Sequence, residues 1–235
     1  MDWKPSKEHF RWVLDQEYTH HESNLDYCII QEGDILTVLF QETRTNEDWS
    51  DNFNFYPEPF DIFPGSSVLV HRGIAKQYMS ARDEILNLVY SGAFKTVRTT
   101  GYSLGCGLCQ LFTYDLAWHV ERDHLDVKVD AIGYSGPRVF CPHRNVKRLM
   151  KKYGFLHIRN HLDPVVHAPF SLMPTFFYFQ LKPFKIWVDW KAIRPMRLTR
   201  WSHVGKHIWM GSWWPLPCKH LSTEIEKSLL EKFGG

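Results

Sequence analysis

Between residues 35 and 160, short apolar runs alternate with longer stretches of helical period, and few architectures accept that alternation. "ILTVLF" (35–40), "SVLV" (67–70), "KTVRTT" (95–100), "VKVDAIGYSG" (127–136) and "FLHIRN" (155–160) read as strands. "IAKQYMSARDEILNLVY" sets Ile74, Tyr78, Ile85 and Val89 near helical spacing. "CGLCQLFTYDLAWHV" does the same with Leu108, Leu111, Phe112 and Leu116, and "RNVKRLMKK" adds a basic helix. Strand, helix, strand, helix, strand predicts an α/β fold with a mostly parallel sheet covered on both faces. No internal repeat and no Gly/Ser linker interrupts it, so residues 1–235 are expected to form one domain.

Composition narrows the classes of function. A formal charge of +2 gives no basis for a nucleic-acid partner. The N-terminal "MDWKPSKEHFRWVLDQ" is charged and lacks the apolar core of a signal peptide, and no run is long enough to span a bilayer. Five cysteines, an odd number without framework spacing, fit free thiols in a reducing compartment. The expected location is therefore cytoplasmic, with peripheral contact at a membrane left open. Aromatic residues make up 15% of the chain, ten of them Trp, and where they cluster matters below.

Chemistry concentrates in "TTGYSLGCGLCQLF" (99–112), where two signatures abut. Gly101-Tyr102-Ser103-Leu104-Gly105 is a G-x-S-x-G, placed after a strand and before a helix as a nucleophilic serine requires. Cys106-Gly107-Leu108-Cys109 is a C-x-x-C, the pattern of a dithiol or of half a zinc site. The serine needs an imidazole to take its proton and a carboxylate to orient that imidazole. In this fold class they follow in the order Ser, Asp or Glu, His. Asp163, in "NHLDPVV" after a strand, and His220, before a C-terminal helix capped by Ser222 or Thr223, complete that order. The cysteines find less support. His119 and His124 follow Cys109 at a spacing too short for a zinc site, so Cys106 and Cys109 read as small packing residues where helix meets sheet. No metal or cofactor is expected.

In order along the chain, "FQETRTNEDW" (40–49), "VHRGI" (70–74), "GYSLGC" (101–106), "YSGPRVF" (134–140), "NHLDPVV" (160–166) and "HVGKHIW" (203–209) resemble the motifs of the class 3 lipase family, the fungal-lipase type of α/β hydrolase. That resemblance implies Ser103 as nucleophile, His220 as general base and then acid, and Asp163 as its orienting carboxylate. It also implies an oxyanion hole built from the backbone N–H groups of Leu104 and Thr43. The reaction implied is hydrolysis of a carboxylic ester, foremost a lipid ester, through an acyl-enzyme. Four positions depart from the family pattern: Gln41-Glu42 stand for Arg-Gly, Cys106 for a second glycine, and Lys219 for a frequent Asp. A carboxylate at Glu42 beside the donor would oppose a developing oxyanion. A catalytically silent module that binds lipid or a protein therefore stays as the alternative.

Other polar residues carry plainer expectations. His71 is read as a hydrogen-bonded structural histidine, Arg138 as an ion-pair or carbonyl donor, and 144–152 as a solvated basic helix face. His203 and His207 are rivals to His220, with His203 in a non-catalytic motif of the family. Residues 167–201 form an aromatic and basic insertion containing Phe176, Phe177 and Trp187. Its internal prolines argue against a spanning helix, and it reads either as extra core or as a flap that contacts substrate and a membrane surface.

Overall fold

The computed structural model describes residues 3–21, 25–41, 56–62, 68–161, 163–169, 172–173, 199–211 and 221–234. Helix α1 (Lys7–Leu14) opens the fold, its first turn held by the Ser6 side chain accepting from the His9 N–H at 3.1 Å. Strands β1 (Thr19–His21), β2 (Leu25–Glu32) and β3 (Ile35–Phe40) follow as an antiparallel run. Glu32 pairs with Ile35 across a two-residue turn, and Gly33 takes the left-handed φ of 59° that such a turn demands.

Next come β4 (Pro57–Pro59), β5 (Leu69–His71), α2 (Arg72–Ser91), β6 (Thr96–Tyr102), α3 (Leu104–Arg122) and β7 (Lys128–Tyr134). They are followed by α4 (Arg144–Lys152), β8 (Leu156–Asn160) and α5 (Pro164–His167). The last elements are β9 (Leu172–Met173), β10 (Thr199–Arg200), β11 (Lys206–Met210) and α6 (Ser222–Phe233). The main sheet has the order β1-β2-β3-β6-β7-β8-β11, and every pair from β3 to β11 is parallel. The run at 67–70 departs from expectation. Its strand, β5, pairs with β4 in a separate two-stranded ribbon because the chain turns into α2 at once, with His71 as N-cap.

Residue alternation in the strands explains the two covered faces. On β7, Val129 and Ala131 face the larger core with Leu108, Leu111 and Phe112 of α3 and Ile85 and Val89 of α2. Ile132 and Tyr134 face the opposite way, onto Phe10 of α1 and Ile225 and Leu229 of α6. The basic helix α4 buries only Val146, Leu149 and Met150, while Arg148 and Lys152 reach Glu121 at 2.7 Å in solvent. Among the described residues no helix is long and apolar enough to cross a membrane.

Candidate active site

Ser103 stands between the last residue of β6 and the first of α3, at φ 55° and ψ −121°. That conformation is costly for a residue with a Cβ, of order 1–3 kcal/mol, and persists only when its surroundings enforce it. Here the enforcement is visible. The Ser103 N–H donates to the Tyr134 carbonyl of β7 at 3.0 Å, and its own carbonyl accepts from Cys106 N at 3.1 Å. The two glycines of the motif are obligatory because the chain passes too close to itself. A Cβ on Gly105 would be driven into the Phe40 carbonyl and would come within 2.8 Å of Gln41 O; one on Gly101 would meet the Gly105 backbone. The Ser103 side chain is not spent on capping α3, and the residue is only partly buried. Its neighbour Leu104 opens α3, so the Leu104 N–H belongs to the first turn, where helical N–H groups lack intrahelical acceptors.

Asp163 is fully buried beyond the end of β8, and one carboxylate oxygen accepts from Val165 N at 2.8 Å as the cap of α5. The bonds Ser103 N to Tyr134 O and Ser135 N to Ile158 O tie the ends of β6, β7 and β8 together. Ser103 and Asp163 thus lie at the same carboxyl edge of the sheet, two strands apart, which is about 10 Å at normal strand spacing. The nearby His167 senses the Asp163 carboxylate, although burial and Arg138 together hold its pKa below the ordinary value. His220, Thr43, Glu42, Lys219, Phe176, Phe177 and Trp187 lie outside the described residues. The chain resumes directly after His220, at Leu221, which is the N-cap of α6. A Ser222 or Thr223 cap was expected; the helix instead starts at Ser222 with no side-chain cap bond.

The cysteines occupy the joint between α3 and the sheet. Cys106 is buried, its Sγ filling the notch left by Gly133 and Gly136, where any Cβ would collide with it. Burial raises the Cys106 thiol well above its ordinary pKa and pushes Cys109 to about 12. Thiolates are the reactive and metal-binding forms, and this environment disfavours them. Among the described residues no group of three His, Cys, Asp or Glu side chains is arranged to hold a metal ion.

His71 accepts from Ile74 N at 3.3 Å as the N-cap of α2, a structural role. Arg138 donates to the carbonyls of His167 and Pro169 at 2.5 and 2.8 Å, pinning the segment that follows Asp163. His203 and His207 pack edge-on with each other and with His157 of β8. Sequence reasoning passed over His157, Arg159 and Trp209. The available signal is the alternation of polar His157 and Arg159 with apolar Leu156 and Ile158, which places both polar side chains on one face of the strand.

A strained serine at a strand-to-helix elbow, on a mainly parallel sheet with helices on both faces, defines the α/β-hydrolase class. Within that class the chain belongs to the class 3 lipase family: the model of "Lipase (class 3)" matches residues 37–173. It is 28% identical over 161 residues to Galactolipase DONGLE, chloroplastic, of Arabidopsis thaliana, an alignment covering 58% of this chain and 34% of that protein. It is 27% identical over 159 residues to Phospholipase A1-Ialpha2, chloroplastic, of the same plant, covering 57% of this chain and 32% of that one. The chain thus spans about a third of the length of these curated relatives. In structure it is similar to the Rhizomucor miehei lipase propeptide complex, with a TM-score of 0.56, 18% identity, and coverage of 84% of this chain and 55% of that one. It is also similar to the Yarrowia lipolytica LIP2 lipase, with a TM-score of 0.57, 14% identity, and coverage of 86% and 67%.

Proposed function

We propose that this protein is a serine carboxylic ester hydrolase acting on acyl esters of lipids. The observation that carries this reading is Ser103 itself, held at φ 55° between β6 and α3 by contacts that leave its side chain outside the helix cap. In the proposed mechanism His220 takes the Ser103 proton as Oγ attacks the ester carbonyl, and Asp163 orients the imidazole and stabilises its cation. The N–H groups of Leu104 and Thr43 receive the oxyanion, a contribution of about 10²–10³ in rate for each donor. Collapse expels the alcohol, protonated by His220, and leaves the acyl group on Ser103. Water, deprotonated by His220, then releases the acid.

The names of the galactolipase and phospholipase relatives support glycerolipids with polar head groups as substrates. In this reading the protein meets them as a peripheral protein at a membrane surface; both relatives are named chloroplastic, and they lend no support to a cytoplasmic location. In this reading the aromatic segment 167–201 is an insertion beside the site, with Phe176, Phe177 and Trp187 contacting the acyl chain or the interface. The test is hydrolysis of p-nitrophenyl esters of graded chain length, then of galactolipid and phospholipid vesicles, beside Ser103→Ala. Activity on esters that vanishes in the variant supports the proposal. A folded wild-type chain that binds vesicles but hydrolyses none of these substrates would instead make it a silent lipid-binding module, as Glu42 beside the oxyanion donor would allow.

A further inference from the structure

Strands β8 and β11 build a second polar cluster that ester hydrolysis does not use. In register, His157 pairs with His207 and Arg159 with Trp209, so all four share one face of the sheet, while Ile158, Ile208 and Met210 pack on the other. His203, entering β11, lies edge-on to both imidazoles, with ring centroids 5.3 Å from His157 and 5.9 Å from His207. The Arg159 guanidinium lies 4.7 Å over the Trp209 ring, and its charge, with that of Arg138, acts on His203. Among the described residues neither Arg159 nor Arg138 has a carboxylate ion pair.

Several buried N–H groups of this cluster lack a partner. Arg159 is 3% exposed, and its Nε and Nη2 are buried without a partner. His157 Nε2 accepts from Gly136 N at 3.2 Å, which places its proton on Nδ1, also buried without a partner. Both ring nitrogens of His203 are buried and unpartnered. Nearby, Cys106 offers a neutral thiol, 3.7 Å from His157 Nε2. Buried N–H groups of Arg159, His157 and His203 are therefore left without an acceptor, and among the described residues no carboxylate balances the guanidinium. Such groups are normally paired, because an unpaired buried charge is among the costliest features a fold can carry.

A cation is repelled by the guanidinium, and a neutral acceptor would answer one N–H while leaving the charge unbalanced. An oxyanion answers both, since the planar fork of arginine matches two oxygens of one anion. Burial restricts it to a small one. We propose that Arg159, His157 and His203 form a binding site for a small oxyanion of the phosphate, sulfate or short carboxylate class. Bound there, the anion would tie β8 to β11 just before the turn that carries Asp163.

The experiment is equilibrium dialysis of radiolabelled sulfate against the wild-type chain, with thermal unfolding followed in millimolar sulfate and in sodium chloride of matched ionic strength. The expected result is saturable binding of one sulfate per chain, competed by inorganic phosphate, and a rise in Tm that chloride does not reproduce. Arg159→Gln should weaken binding at least about ten-fold, as expected when a charged hydrogen-bond donor is removed. His203→Phe reads the same loss should Arg159→Gln fail to fold. Ser103→Ala should bind sulfate as the wild type does, which separates this site from the proposed esterase. Absence of saturable binding to the wild type, or equal binding in a folded variant of Arg159 or His203, would overturn the proposal.

Discussion

Lowering the pH from 7.5 to 5.5 should strip this fold of a large part of its stability, through two buried imidazoles and one partly buried. His9 meets the Tyr134 hydroxyl at 2.7 Å through Nδ1, and its Nε2 is buried without a partner. Burial, helped by Arg98, pushes its pKa down to about 4. Burial and the neighbouring Arg159 push His203 down to about 2 and hold His157 well below the ordinary value. All three folded-state values lie below that of the unfolded chain, so the unfolded chain binds the protons and the folded chain refuses them. Their contribution is fully present above the unfolded pKa near 6.5 and is lost as pH falls below it. While pH stays above the folded values, each group costs RT ln(1 + 10^(6.5 − pH)), about 1.4 kcal/mol at pH 5.5 and close to zero at pH 7.5. Three such groups remove about 4 kcal/mol, against a typical total of about 5–15 kcal/mol. The carboxylates whose pKa values are lowered, Glu8, Asp115, Glu121 (to about 2, by its bonds to Arg148 and Lys152) and Asp123 (by its bonds to Arg122), lose their stabilising charge only at lower pH and leave this window to the histidines. Urea unfolding followed by Trp fluorescence at pH 7.5, 6.5 and 5.5, without sulfate or phosphate, measures the slope. His203→Phe should reduce that slope by one proton, about 1.4 kcal/mol per pH unit well below pH 6.5. A stability that does not change from pH 7.5 to 5.5 would refute the reasoning, as would an unaltered slope in the variant.

Three further outcomes follow from the site and its supports. Gly105→Ala should cost about 1–3 kcal/mol in urea unfolding and most of the esterase activity, since its Cβ displaces the Phe40–Gln41 backbone from the elbow; a fully active variant would show that this approach is dispensable. Cys106→Ser with Cys109→Ser should keep ester hydrolysis within a few-fold of wild type and lose at most about 1–3 kcal/mol of stability; insulin reduction by the wild type, or stoichiometric zinc, would contradict the packing role. Replacing Phe176, Phe177 and Trp187 by Ser should lower vesicle co-sedimentation and the ratio of long-chain to short-chain hydrolysis, because burying several rings gains a few kcal/mol at about 25 cal/mol per Å²; unchanged values in a folded protein would remove these residues from the lipid-facing role.

The elements legible in the sequence are those whose own pattern suffices. Strand β3 falls on its apolar run, 35–40, and helix α4 on the basic stretch 144–152. The central strands β6, β7 and β8 fall on the runs marked at 95–100, 127–136 and 155–160, and helices cover both their faces. Helix α1 was not legible. It has eight residues and buries only His9, Phe10 and Val13, too short a stripe to show a period. Strand β11, "KHIWM", was missed for the opposite reason: at the sheet edge its exposed lysine and histidine dilute the apolar signal. The site divides the same way. Ser103 is announced by local glycines whose necessity the backbone then explains. The company of His157, Arg159, His203 and Trp209 depends on a parallel pairing between strands far apart in the chain, which no local pattern reveals.

The claim on which the account turns is that Ser103 is the nucleophile. A fluorophosphonate that esterifies activated serines, followed by intact-mass and peptide mass spectrometry, tests it directly. One adduct per chain is expected, on the peptide that contains Ser103, absent in Ser103→Ala and strongly slowed in His220→Ala. A folded chain that forms no adduct, or forms it on another residue, would contradict it.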